Sequence, residues 1–324
     1  MREIRIGKNE ENQRIDKFLR KYMAKASLGF IYKMIRKKSI KVNGNKIDND
    51  YILKYGDAIQ LYLKEDTIES FIENREVRKI KRTFQIVYED DYLLLVNKPY
   101  GLLVHGDSQE KKNTLINQVT GYLYAKGEYD PKSEKTFVPA SVNRLDRNTS
   151  GIVIIGKNYE TVQNLNQMIR EKHHIRKFYL TVVKGQVKSC GELKGYLLKD
   201  ERGNKVKIAE KEENGKDIHT MYRPLKTNKD YSLLEVEIIT GRTHQIRLHL
   251  SAIGHPIVGD PKYGDKSINQ VMKKKFGLEN QFLHAYRISF EKCMGNLKYL
   301  EGKTFEAPLP QRLKEIEQSL FSER

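Results

Sequence analysis

Cysteine is nearly absent from this chain of 324 residues, Cys190 and Cys293 being the only two. That excludes a disulfide framework and leaves too few thiolates for a cysteine-based zinc site. Long apolar runs are missing as well. No stretch approaches the roughly 20 residues that span a bilayer, and the opening Met1-Arg-Glu-Ile-Arg-Ile6 lacks a signal-peptide core. Neither terminus carries a lipidation signal or a basic amphipathic tail, so a cytoplasmic protein is expected. There is no internal repeat, no low-complexity tract, no Gly-x-Ser-x-Gly elbow and no Gly-x-Gly-x-x-Gly fingerprint. The segment Gly151-Ile-Val-Ile-Ile-Gly-Lys-Asn158 approaches a phosphate loop but ends in Asn, and its four spacers are strand formers that cannot expose their amides. His244 and His249 are five apart on an expected helix and share no metal-binding face, and His173-His174 reads as a polar helix end. No metal or cofactor is expected.

Acid is also in short supply. There are 42 Asp and Glu against 60 Lys and Arg, a net charge of +18 and a pI near 9.5. Such an excess repels itself in a compact state and is best tolerated beside a polyanion, which makes nucleic acid the favoured partner. With 38% hydrophobic and 31% charged residues the chain is globular, and its length suggests about two domains.

Residues 1–82 hold 21 basic and 12 acidic residues, half of the net charge in a quarter of the chain. Ile15, Phe18, Leu19, Tyr22 and Met23 recur at helical spacing, as do Leu28, Ile31, Tyr32 and Ile35, with Ser27 as a cap for the second helix. Lys33, Arg36, Lys37, Lys38 and Lys41 form a basic block without an acid between Leu28 and Ile47. Ile40, Val42, Asn43-Gly44 and Ile47 predict a tight hairpin, with a returning strand in Tyr51–Leu63 after a turn at Gly56-Asp57. The stretch 13–64, with Arg14-Ile-Asp-Lys-Phe-Leu19 and Ile35-Arg-Lys-Lys-Ser-Ile-Lys-Val-Asn-Gly44, resembles the small α/β RNA-binding domain of ribosomal protein S-four. The resemblance implies that Arg14, Lys33, Arg36, Lys37, Lys38 and Lys41 face RNA phosphates. The expected organisation is an RNA-binding domain at 13–72, a charged linker at 73–82 and a larger domain at 83–315.

From Thr83 onward strands dominate. Tyr92–Val96, Gly151–Ile155 and Phe178–Val183 are apolar runs, and Leu234, Val236 and Ile238 alternate with Glu235 and Glu237. Helices are expected at Asn158–Glu171 and at His244–Ile253, the latter capped by Thr243, buried through Ile246, Leu250 and Ile253, and stopped by Gly254 and Pro256. This predicts an α+β domain around a mostly antiparallel or mixed central sheet.

Four segments then stand out in order. They are Tyr88-Glu-Asp-Asp-Tyr-Leu-Leu-Leu-Val-Asn-Lys-Pro-Tyr-Gly101; Val142-Asn-Arg-Leu-Asp-Arg-Asn-Thr-Ser-Gly151; Arg176-Lys-Phe-Tyr-Leu-Thr-Val-Val-Lys-Gly185; and Gly241-Arg-Thr-His-Gln-Ile-Arg-Leu-His-Leu250, running on to Gly259-Asp-Pro-Lys-Tyr-Gly264. Together they resemble the RluA-type pseudouridine synthases over about 84–310. The resemblance implies an isomerase of uridines in structured RNA, ribosomal RNA first and transfer RNA second. It implies Asp146 as the essential carboxylate, Tyr179 packed on the target uracil and placed to move a sugar proton, Arg247 paired with Asp146, and Arg144 holding a flipped-out base. Many relatives carry His where this chain has Asn143, which bears on the target rather than the chemistry.

The chemistry agrees. Pseudouridine formation exchanges the N1–C1′ bond of uridine for a C5–C1′ bond without oxidation or an imported group. An ionised carboxylate, buried beside an arginine, can attack the sugar or stabilise its developing positive charge. Two alternatives remain at this level: a non-catalytic RNA-binding assembly factor, and a metal-dependent nuclease using Asp146 with Asp260. A monomer is expected.

Overall fold

The computed structural model describes residues 1–73, 77, 80–199, 206–209 and 215–322. Residues 74–76, 78 and 79 of the expected linker therefore lie outside the described residues. The chain forms two compact units, one of residues 1–81 with 117–140 and 157–160, the other of 82–116, 141–156 and 161–324.

The first unit opens with β1 (Arg2–Arg5), α1 (Ile15–Tyr22), α2 (Leu28–Arg36), β2 (Ile40–Val42), β3 (Ala58–Leu61) and α3 (Glu65–Phe71). Ile15, Phe18 and Leu19 of α1 and Ile31 and Ile35 of α2 meet Ile40, Leu53, Ile59 and Leu61 in a sealed core. Each such burial contributes roughly 1.5–3 kcal/mol. Ser27 caps α2 by accepting from the Phe30 amide at 3.2 Å, as its position predicts, while Leu28 at the first helical turn is exposed. The expected hairpin is corrected. Asn43 and Gly44 do turn with positive φ, but Val42 only bridges Asn45, and β2 pairs antiparallel with β3 in a sheet ordered β1-β3-β2. The strand expected over Tyr51–Leu63 shrinks to β3. β3 starts just after the expected turn at Gly56-Asp57, where the Asp57 carboxylate takes bonds from the Tyr51 hydroxyl, the Lys54 amide and the Asn43 amide group. Asn9 ties this segment to the rest of its unit, donating to Glu134 at 2.7 Å and accepting from the Tyr159 amide at 3.1 Å.

The remaining elements are β4 (Gln85–Glu89), β5 (Leu93–Lys98), α4 (Leu115–Ala125), β6 (Ala140–Ser141), β7 (Ser150–Gly156), α5 (Tyr159–Arg170), β8 (Ile175–Lys184), β9 (Gly191–Lys199), β10 (Val206–Ala209), β11 (Lys216–Thr227), β12 (Tyr231–Ile238), α6 (Gln245–Ala252), α7 (Lys266–Phe276), β13 (Leu283–Phe290), β14 (Thr304–Glu306) and α8 (Gln311–Phe321). The second unit is built on a mixed sheet ordered β10-β9-β11-β12-β8-β13-β7-β5-β4, antiparallel except where β13 meets β7. That parallel pairing requires Gly151, whose φ is +115° and whose place leaves no room for a Cβ against the Ala285 backbone. One apolar cluster joins Leu93, Leu95, Ile152 and Ile154 to Leu165 and Met168 of α5; a second joins Val182 and Leu233 to Met272 of α7 and Leu313 and Ile316 of α8.

The alternation of β12 is observed, but Glu235 and Glu237 are buried. Arg223, Arg287 and Tyr286 hold Glu235, and Arg176 grips Glu237 with two bonds. Among the described residues no helix is long and apolar enough to cross a membrane.

Candidate active site

Asp146 sits in the short loop ahead of β7, and several hydrogen bonds fix that loop. Asn143 donates to the Ile152 carbonyl at 3.2 Å and accepts from the Ile154 amide at 2.8 Å, so it splices the loop onto β7. The Thr149 amide reaches back to the Asp146 carbonyl, and the Arg147 carbonyl accepts from the Gly101 amide. Beneath the loop lies Lys98, fully buried, donating to the carbonyls of Pro99, Leu102 and Arg147 at 3.0, 2.7 and 3.0 Å. Burial pushes its amine down to about 7, and Asp146 pulls the other way. Three acceptors need three N–H groups, which favours the ammonium.

The structure brings two of the expected residues, Asp146 and Arg247, into contact. Arg247 on α6 donates from Nη1 to Asp146 Oδ2 at 2.9 Å. Its other donors go to Asp260, Nε to Oδ2 at 2.6 Å and Nη2 to Oδ1 at 2.9 Å. Asp260 is 1% exposed, and Oδ1 also accepts from the Lys262 and Tyr263 amides. Burial would raise its carboxyl, but Arg247 and the two amides bring it down overall, so the aspartate is ionised. The guanidinium is thus clamped to one carboxylate and offers its last edge to the other. Asp146 itself is half-buried, its side chain 28% exposed. Nothing among the described residues bonds its Oδ1.

Tyr179 is central in the sheet, opposite Val236 of β12 and Ala285 of β13. It is buried, and burial together with the Asp146 charge raises its hydroxyl above the ordinary tyrosine range, so it is a neutral phenol near pH 7. Arg144 is exposed.

The Thr243 cap is corrected. His244 occupies the cap position with φ +56° and no side-chain cap bond. Gln245 ties the start of the helix to its surroundings, accepting from the Arg242 amide and the Thr240 hydroxyl and donating to the His219 carbonyl and the Thr220 hydroxyl. Gln245 through Leu250 are all buried, the polar Gln245, Arg247 and His249 included, and Ile253 is only partly covered. Sequence reasoning left Lys98, Tyr263 and His244 without roles in this cluster, and weighed Asp260 only as a nuclease partner of Asp146. The signal for Asp260 was present in Gly259-Asp-Pro-Lys-Tyr-Gly264, where an Asp two and three residues ahead of free amides forms an Asx-type turn.

Of the basic residues, Lys33, Arg36, Lys37 and Lys38 are exposed. Arg14 is bonded to the Asp16 carboxylate at 3.1 and 2.8 Å. Lys41 lies over the Tyr62 ring at 5.2 Å. Lys46, not singled out from sequence, has its ammonium pushed down by Lys38 first and Lys41 last, so these three cations converge.

Known proteins resemble this chain. Residues 92–252 match the model for RNA pseudouridylate synthase, and residues 13–59 match the S4 domain. A ribosomal large subunit pseudouridine synthase C from Vibrio parahaemolyticus is 33% identical over 319 residues, covering 97% of this chain and 94% of that protein. The chain belongs to the RNA pseudouridylate synthase family. It is accordingly an isomerase, with an amino-terminal S4 domain. The Escherichia coli protein of the same name is 31% identical over 99% of this chain and 97% of its own length. The solved structure of human RNA Pseudouridylate Synthase Domain Containing 4 shares the fold, with a TM-score of 0.54 and 23% identity over 71% of this chain and 92% of that one.

Lys98 gives a prediction about stability. Lys98→Met removes a donor from three carbonyls, of which only that of Arg147 keeps the Gly101 amide, and should lower the unfolding free energy by about 2–5 kcal/mol. The folded-state pKa lies below the ordinary lysine value, so between the two the unfolded chain binds more protons. Wild type should therefore gain stability relative to the variant as pH rises from 7 toward 10. Urea unfolding at pH 7 and pH 9 checks both; equal stability at each pH would mean that Lys98 is not the loop's anchor.

Proposed function

We propose that this synthase acts on large-subunit ribosomal RNA, with Asp146 as the carboxylate that engages the target ribose. The observation that carries the reading is the Asp146–Arg247–Asp260 chain, in which a doubly anchored guanidinium fixes one oxygen of a half-exposed carboxylate. The names of the relatives supply the RNA. Transfer RNA is the second reading.

In the proposed course, the target uridine leaves its stack and its base packs on Tyr179. Arg144, two residues ahead of Asp146 and exposed, holds the displaced backbone. Asp146 either attacks C1′, forming an ester bond that breaks again when C5 joins, or stabilises its positive charge as the N1–C1′ bond breaks; the base turns, C5 joins C1′, the C5 proton leaves and N1 takes up a proton. The neutral Tyr179 phenol packs and donates a hydrogen bond more readily than it takes a proton. Arg247 fills the space between the two carboxylates, an arrangement suited to orienting Asp146 rather than to a shared cation. No cofactor enters this course.

Residues 13–72 are proposed to hold RNA and 83–315 to carry the chemistry, with 73–82 joining them, in a cytoplasmic monomer. Arg14, Lys33, Arg36, Lys37, Lys38 and Lys41 are proposed as phosphate-binding side chains; of these Arg14 must share its charge with Asp16. Replacing Arg36 and Lys37 together by Ala should weaken RNA binding and leave kcat unchanged. It should also flatten the salt dependence of binding by roughly 0.7–0.9 in log–log slope for each phosphate no longer neutralised. Affinity measured across a salt series checks this. An unaltered slope would make these side chains a solvated face. Mapping pseudouridine in large-subunit RNA from cells with and without the gene tests the substrate.

A further inference from the structure

His244 has unusual backbone geometry and a side chain aimed at Asp146. Its φ of +56° places it in the left-handed region, which residues other than glycine seldom enter without a reason. Its two ring nitrogens face different partners. Nδ1 is 3.0 Å from the Tyr263 hydroxyl, the rings meeting edge to face with centroids 5.6 Å apart. Nε2 is 3.7 Å from Asp146 Oδ2, the oxygen that Arg247 already holds. Tyr263 in turn covers the Arg247 guanidinium at 5.2 Å from its ring centre, and its amide donates to Asp260. Asp146, Arg247, Asp260, Tyr263 and His244 therefore form a closed circuit.

The chemistry of the circuit fixes the protons. Burial lowers the His244 pKa, with Asp146 opposing and Arg247 and Lys262 reinforcing it, so the ring is neutral near pH 7. Burial also raises the Tyr263 hydroxyl, which keeps its proton and donates to Nδ1. The single ring N–H is then on Nε2, facing the carboxylate. At 3.7 Å that separation is too long for a hydrogen bond, and a shift of well under an ångström would make it one.

We infer that His244 and Tyr263 form a positioning relay for Asp146. Tyr263 selects the imidazole tautomer, and the Nε2 proton closes on Oδ2 as the ribose arrives. With Oδ2 held from two sides, Oδ1 is the oxygen presented to the sugar. The relay rests on Asp146 being the reacting carboxylate.

The test uses the full chain and RNA tritiated at uridine C5, since isomerisation releases that label to water. His244→Asn tolerates the left-handed backbone and can still meet Tyr263, but cannot reach Asp146. His244→Gln places an amide nitrogen near the Nε2 position. His244→Asn should lower kcat by about 10- to 100-fold with RNA affinity unchanged, and His244→Gln should recover part of it. Tyr263→Phe should lower kcat alone but add nothing in the His244→Asn background. Unchanged kcat in His244→Asn, no recovery in His244→Gln, or additive losses in the double variant would each overturn the relay. Tritium release by Asp146→Asn, measured alongside, would instead overturn the reading of Asp146, a failure that needs no change at His244. Circular dichroism confirms that each variant is folded.

Discussion

Asp146→Asn should abolish isomerisation while leaving RNA binding intact. The amide keeps the size of the side chain and an oxygen for Arg247 Nη1 at the present 2.9 Å, so the loop should keep its shape. What disappears is the negative charge that attacks or stabilises C1′. A fall of about 10⁴-fold or more is expected, as for removal of a reacting group rather than a helper. Release of C5 tritium with the purified variant measures it, and filter binding gives the RNA affinity. Appreciable turnover would move the chemistry to another residue.

Arg247→Lys should be the next most damaging change, and it should act in two ways. The guanidinium reaches two carboxylates with three hydrogen bonds, whereas an ammonium is a point charge without that fork. Asp146 would lose its orientation, and kcat should fall by about 10²-fold or more with little change in RNA affinity. Asp260 would also lose most of its partner while staying buried, a loss that for such pairs is about 3–5 kcal/mol. Single-turnover kinetics and urea unfolding on one preparation separate the two effects. Full activity in a destabilised protein would make Arg247 a clamp for Asp260 alone.

Much of this architecture was legible in the sequence where the cause is local. The helix expected at Asn158–Glu171 is Tyr159–Arg170, and the Ser27 cap is made, because apolar spacing and cap chemistry act within a few residues. The pairing of Asp146 with Arg247, 101 positions apart, came from the resemblance of their segments and is present in the geometry. What composition could not reveal was decided by distant partners. Glu235 and Glu237 alternate as solvent-facing residues do, yet arginines from β8, β11 and β13 bury them. β2 chose β3 over a local hairpin because Asp57 gathers the intervening loop. Lys98 is the last residue of β5, and only the return of the Arg147 carbonyl shows it to be a support for the Asp146 loop. The cap of α6 failed for a similar reason: Gln245 reaches β11, and His244 takes the left-handed turn that aims it at Asp146.

The most direct measurement of the central claim is pseudouridine mapping on an unmodified large-subunit ribosomal RNA transcript after incubation with the purified chain. The reaction is run in chelator, with transfer RNA transcripts and the Asp146→Asn variant in parallel. Conversion of a small set of defined uridines by wild type, and of none by the variant, is the predicted result. Conversion at the same sites by Asp146→Asn, or no conversion of either RNA by a folded wild-type protein, would contradict the account.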